Sequence, residues 1–158
     1  MIKKAVYAGT FDPFTLGHLN IVERSASLFD EVVIGIATNE RKNPLFSIAE
    51  RRDMVSQAVA HLNNVVVIAL TGLTAHFAKQ QGARYLVRGI RSTADYDYET
   101  TIANVNWTLS AGELETIFMP THPDFSCLSS SVVRDLILAK AIDALKQFLP
   151  KTVFDAIF

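Results

Sequence analysis

Short apolar runs alternate with segments of helical period along nearly the whole chain, and few folds accept that alternation. Ala5 to Ala8, Glu31 to Ala37, Val65 to Leu70, Ala83 to Val87 and Thr116 to Met119 read as strands. Between them, Leu19, Val22, Ala26 and Phe29 recur on one helical side with Ile21, Ser25 and Leu28 adjoining. Ser47 and Glu50 have capping-box spacing before a helix that turns Met54, Val55, Ala58, Val59 and Leu62 inward. Leu73 to Gln81 predicts a short helix closed by Gly82, and Tyr98 to Ser110 a longer one ended by Ala111-Gly112. Ser129 or Ser130 caps a further helix carrying Val132, Val133, Leu136 and Ile137 on its inner side. Pro150 then separates an apolar segment, Ala141 to Leu149, from a terminal helix through Val153 to Phe158. Parallel strands joined by crossover helices follow, so the expected fold is α/β, an open parallel sheet with helices on both faces.

With 158 residues, 49% of them hydrophobic and 20% charged, the chain has room for one core and is read as a single domain, residues 1–158 including the C-terminal helices. Fifteen basic residues against sixteen acidic ones leave a net charge of -1, which supplies no general pull toward nucleic acid. No broad basic face or base-stacking pattern is evident either. Cys127 is the one cysteine, which rules out an intramolecular disulfide, and packing is its expected role. Met1-Ile2-Lys3-Lys4 passes directly into strand-like sequence, and no run approaches the roughly 18 apolar residues of a membrane span. A soluble cytoplasmic protein without a membrane or nucleic-acid partner is expected.

The segment Tyr7-Ala8-Gly9-Thr10-Phe11-Asp12-Pro13-Phe14-Thr15-Leu16-Gly17-His18 joins the first strand to the first helix. Gly9 allows a close approach, Thr10 offers a hydroxyl and a backbone N–H, and a helix start presents unpaired N–H groups and a positive dipole end. Such a turn suits oxygen anions. His18 is placed to donate to a phosphoryl oxygen as charge grows during transfer. The plainer reading makes Gly9 and Gly17 turn formers and Thr10 and His18 caps.

Lys42, beside Arg41 and before Asn43-Pro44, offers a cation after the second strand. Arg88-Gly89-Ile90-Arg91 puts guanidinium groups around a flexible bend after the fourth strand, where planar donors grip phosphate directionally. The alternative is a surface salt-bridge patch with Asp95, Asp97 and Glu99. These acids do not specify an all-protein metal site, because nucleotide phosphates can supply magnesium ligands themselves. Asp95 reads as a loop-ordering partner for an arginine, and Glu99 as a nucleotide-positioning group. Ser129-Ser130-Ser131 makes either a second phosphate cradle or a simple helix cap, with Arg134 one turn on. His61, His76 and His122 form no ligand pattern and read as isolated surface or structural residues.

Gly9-Thr10-Phe11-Asp12-Pro13 with Gly17-His18, then Arg88-Gly89-Ile90-Arg91 and Ser129-Ser130-Ser131 in that order, resembles bacterial phosphopantetheine adenylyltransferase across nearly the full chain. The first motif alone is similar to the T/HxGH signature of the wider nucleotidylyltransferase superfamily. The resemblance implies a Rossmann-like nucleotidyltransferase fold and transfer of adenylyl from ATP to 4'-phosphopantetheine in coenzyme A biosynthesis. It implies a catalytic set of Thr10, His18, Lys42 and Arg91, with His18 stabilising the pentavalent phosphorus. ATP would meet Thr10, Phe11, His18, Gly89, Ile90, Arg91, Glu99 and the late loop Phe125, Ser126, Cys127, Leu128, Ser129, Ser130 and Ser131. The acceptor would meet Thr10, Lys42, Thr74 and Arg88. Magnesium (Mg2+), a homohexamer and feedback binding of coenzyme A are implied as well.

Departures from the frequent family pattern fall at Arg41-Lys42-Asn43, at Asn106-Trp107 where asparagine-arginine is common, and at Cys127-Leu128 in place of an aromatic-isoleucine pair. Two other readings stay open. One is a related adenylyl- or cytidylyltransferase acting on nicotinate mononucleotide or a phosphoalcohol, and the other is a nucleotide-binding regulator without turnover.

Overall fold

The computed structural model describes residues 2–38 and 43–158; Arg41 and Lys42 lie outside the described residues. Strands β1 (Lys4–Gly9), β2 (Glu31–Ala37), β3 (Val65–Leu70), β4 (Tyr85–Ile90) and β5 (Glu115–Pro120) form a 5-stranded sheet in the order β3-β2-β1-β4-β5. Every pairing is parallel. The helices are α1 (Leu16–Leu28), α2 (Ile48–Ala58), α3 (Thr74–Gln80), α4 (Thr93–Leu109), α5 (Ser130–Leu138), α6 (Ile142–Phe148) and α7 (Lys151–Ile157).

Successive side chains of a strand point to opposite faces, and here both faces are covered. Ala5 and Tyr7 of β1 join a core with Ile34, Ile36 and Val87 under Val22 of α1, Val55 of α2, Val133 of α5, Leu145 of α6 and Val153 of α7. Val6 and Ala8 face the other way, with Val33, Leu70 and Leu86 beneath Ala75, Phe77 and Ala78 of α3. The short C-terminal helices therefore complete the larger core.

Several expectations need correction. Arg88-Gly89-Ile90 is not a bend: these residues continue β4 and pair with Phe118, Met119 and Pro120. Arginine and glycine break the apolar run, but the ladder depends on backbone groups, and Arg88 carries its charge to the strand's end. Helix α4 begins at Thr93, with the Ser92 side chain accepting from the Asp95 N–H, so Asp95 and Asp97, expected before the helix, occupy its first turns. Leu28 is 61% and Val132 44% exposed, leaving Val133, Leu136 and Ile137 as the inner stripe of α5. Cys127 is exposed rather than packed. Among the described residues no helix is long and apolar enough to cross a membrane.

Candidate active site

From β1 the chain runs outward to β2 and β3, then returns to place β4 on the other side of β1. Connections leaving β1 and β4 in opposite directions open a crevice at their carboxyl ends, the place where open α/β sheets take ligands. A cleft of about 540 Å3 lies there, lined by Gly9, Thr10, His18, Arg88, Arg91 and Ser129 among others.

His18 owes its state to the way α1 begins. Thr15 is the N-cap and His18 the third helical residue, and together they form a capping box in which histidine stands where glutamate or glutamine is usual. The Thr15 N–H donates to Nδ1 of His18 at 3.0 Å, while the His18 N–H donates to the Thr15 hydroxyl oxygen at 3.4 Å. Nδ1 is thereby an acceptor, so the neutral ring carries its proton on Nε2. Nε2–H has no acceptor among the described residues, and the ring lines the cleft. Burial, and after it the nearby Arg91 charge, together lower the His18 pKa to about 4. The imidazole is a neutral donor at pH 7. Phe14 stacks on it with centroids 5.5 Å apart and Phe11 meets it edge-on at 5.1 Å, fixing the ring plane.

Phe11 reaches that position through a left-handed backbone, φ 47°. Its ring fills the space beside Gly9, where a Cβ would sit 2.9 Å from the ring tip. Glycine at this position therefore makes room for the aromatic wall behind His18.

Arg88 is held on two sides. Its Nε and Nη2 donate to the two Glu99 carboxylate oxygens at 2.6 and 2.7 Å, and Nη1 donates to the Ala8 carbonyl at 2.9 Å. Burial alone lowers the Arg88 pKa, but the bound carboxylate of Glu99 more than reverses it, so the guanidinium stays charged. Arg91 donates from Nε to Asp95 at 3.1 Å and from Nη1 to the Leu128 carbonyl at 3.3 Å, joining the end of β4 to the late loop. Desolvation raises the Asp95 pKa, yet the Arg91 hydrogen bonds and charge bring it below the usual carboxylate range.

Ser129 caps α5 by accepting the Val132 N–H at 3.2 Å. The Ser130 hydroxyl donates to the Pro13 carbonyl at 3.0 Å, and Arg134 donates to the Asp12 carbonyl at 2.8 Å. The late serines are thus tied to the early turn from the opposite end of the chain. Thr10 and Ser130 also line an adjoining cavity of about 350 Å3 with Ser131, Arg51 and Arg134.

A family model for cytidylyltransferase-like proteins matches residues 6–136. The phosphopantetheine adenylyltransferase of Actinobacillus pleuropneumoniae serotype 3 (strain JL03) is 46% identical over 152 residues, covering 96% of this chain and 94% of that protein. That of Lachnoclostridium phytofermentans is 41% identical over 157 residues, covering 99% and 94%. This chain belongs to the phosphopantetheine adenylyltransferase family. Among solved structures, Plasmodium falciparum nicotinic acid mononucleotide adenylyltransferase complexed with APC shares the fold, with a TM-score of 0.75 at 14% identity over 99% of this chain and 94% of that one.

Of the residues expected at the site, Thr10, Phe11, His18, Thr74, Arg88, Gly89, Arg91, Glu99, Leu128, Ser129 and Ser130 line the main cleft. Ser131 lines only the adjoining cavity. Ile90, Phe125, Ser126 and Cys127 are not among the lining residues. Phe125 instead packs against the core, and the Ser126 hydroxyl donates to the Pro123 carbonyl at 2.9 Å. Lys42 lies outside the described residues.

Sequence reasoning missed Arg51 and the work of Asp12. Arg51, 2% exposed, donates to the carbonyls of Thr10 at 2.6 Å, Ala37 at 3.0 Å and Phe46 at 3.0 Å. Asp12 accepts the backbone N–H groups of Leu45 and Phe46, each at 2.9 Å. The signal was present, because Arg51 sits on the Met54-Val55-Ala58 stripe of α2, where a charge demands buried partners.

Proposed function

We propose that residues 1–158 act as one nucleotidyltransferase domain that transfers adenylyl from ATP to 4'-phosphopantetheine, yielding dephospho-coenzyme A and pyrophosphate. The observation that carries this reading is the convergence of a neutral Nε2–H donor on His18, the paired arginines and the Ser129–Ser130 helix start in one cleft. Family membership supplies the acceptor.

An oxygen of the acceptor phosphate forms the new bond to the ATP α-phosphorus, while the bond from that phosphorus to the β-phosphate bridging oxygen breaks. Phosphate is already ionised near neutrality, so no general base is needed. The protein's part is placement and electrostatics. His18 donates to a non-bridging oxygen of the transferring group, whose charge grows at the transition state. Arg88 holds the acceptor phosphate, Arg91 and the α5 start hold the nucleotide, and Lys42 neutralises charge between the two. Thr74 lies where the pantetheine arm would pass. Coenzyme A would compete for the same cleft.

Magnesium enters as part of the MgATP substrate, ligated by phosphates and water. The carboxylates among the cleft's described lining residues, Asp95 and Glu99, are each engaged by an arginine. We also assign a homohexamer, supported by half-exposed Tyr96, Val105 and Trp107 on α4. Light scattering would then give about six times the 17.5 kDa chain mass.

Mass spectrometry after incubation with ATP, magnesium and either 4'-phosphopantetheine or nicotinate mononucleotide tests the reaction. Dephospho-coenzyme A as the selective product is expected. Product only from the mononucleotide, or ATP binding without any product, would reject it.

A further inference from the structure

Tyr7, on β1, is a buried polar group that the proposed reaction does not use. It is 6% exposed, lines the cleft, and packs its ring against Phe11 with centroids 5.3 Å apart. Phenylalanine would serve that packing equally well. What tyrosine adds is a hydroxyl, and among the described residues no group donates to it or accepts from it. Buried tyrosine hydroxyls usually find a partner, because a desolvated O–H without one costs free energy. The sealed, unpartnered hydroxyls among the described residues are those of Thr100, Thr116 and Thr152. The Tyr7 oxygen is not sealed in that way and keeps an opening to the cleft that Tyr7 lines.

Burial pushes the Tyr7 pKa above its ordinary value, and although Arg88 and Arg91 oppose this, the net change is upward. The phenol is therefore a neutral donor at neutral pH. Strand register fixes its neighbours. Tyr7 pairs with Val87, the residue before Arg88, and Nη1 of Arg88 donates to the carbonyl of Ala8, the residue after Tyr7, at 2.9 Å. On its other side, the Phe11 ring that packs on Tyr7 meets His18 edge-on. Tyr7 is thus tied at once to the arginine assigned to the acceptor phosphate and to the histidine assigned to the transferring one. An oxygen anion drawn in by the cleft's guanidinium groups supplies the acceptor that the phenol lacks.

We infer that Tyr7 is a further substrate-binding residue, its hydroxyl donating to a phosphate oxygen in the cleft. That oxygen belongs either to the acceptor phosphate or to ATP, so the inference rests on the proposed reaction and deepens it.

Tyr7→Phe removes one oxygen and keeps the ring. Because the hydroxyl has no protein partner, the melting temperature of the free enzyme should be unchanged or higher. A fall of about 3 °C or more, or failure to fold, would reveal a partner within the protein and overturn the inference. In steady-state kinetics at least one constant should worsen by about fivefold or more, the size of a hydrogen bond to a charged oxygen. A raised KM for 4'-phosphopantetheine puts the hydroxyl on the acceptor phosphate, and a raised ATP KM puts it on the nucleotide. A lowered kcat with both KM values unchanged puts it on the transferring phosphate at the transition state. Smaller changes in all three constants would overturn the inference. Fluorine NMR of 3-fluorotyrosine-labelled enzyme gives a second readout, since of the four tyrosine signals the one lost in Tyr7→Phe belongs to Tyr7. That signal should shift on adding ATP, 4'-phosphopantetheine or inorganic phosphate, and a signal unmoved by saturating amounts of each would overturn the inference. Wild-type enzyme that makes no dephospho-coenzyme A would instead defeat the functional reading, and the response to inorganic phosphate would still decide whether Tyr7 takes a phosphate oxygen.

Discussion

Protonating Nδ1 of His18 would remove the acceptor of the Thr15 N–H, so charging this ring also breaks one half of the α1 capping box. Burial and Arg91 oppose the same step, which is why the pKa falls from 6.5 to about 4. The folded state then binds fewer protons than the unfolded chain between those values. The His18 contribution to stability is complete above about pH 6.5 and is lost as pH falls toward 4. Ring nitrogen NMR of the free enzyme should show the Nε2–H form across pH 6 to 8 with a midpoint near 4. A midpoint near 6.5, or an Nδ1–H ring, would contradict the assigned donor. His18→Ala should lower kcat by about 100-fold or more while leaving ATP affinity nearly unchanged, as loss of a transition-state donor does.

The elements themselves were largely legible, since strand and helix periods depend on side-chain alternation that any reader of the sequence can count. What escaped was set by distant backbone. The end of β4 looked like a bend because Arg88 and Gly89 interrupt the apolar pattern, yet β5 supplies their ladder. Arg51 drew no reading from the sequence, because the carbonyls it satisfies belong to the first turn, the end of β2 and the approach to α2 itself. Replacing it with methionine would strand those carbonyls and remove one of the two cations near Asp12, leaving Arg134 as its ion-pair partner. Arg51→Met should cost about 3 kcal/mol or more, read as a lower urea midpoint at unchanged slope. Arg51→Lys should recover only part of this, because one ammonium cannot reproduce the fork. A change within about 0.5 kcal/mol would show that these contacts are replaceable.

On the scale of the whole molecule, the strand order β3-β2-β1-β4-β5 brings residues near positions 10, 18, 88 and 129 to one crevice. The motifs could be read singly from sequence, and their alternatives as caps and salt bridges turn out to be compatible with them. Ser129 is a helix cap and a cleft residue; Arg88 is an ion-pair partner with donors to spare. The proposed phosphate site is made from ordinary structural devices whose leftover hydrogen-bonding capacity lies at the crevice. Where phosphorus sits in that crevice therefore decides what the protein does. A crystal structure with a non-hydrolysable ATP analogue and 4'-phosphopantetheine tests it most directly. The α-phosphate should lie within hydrogen-bond reach of His18 Nε2 and the α5 start, with the acceptor phosphate on Arg88 and in line with the leaving oxygen. An α-phosphate bound away from His18, or an acceptor phosphate away from Arg88, would contradict it.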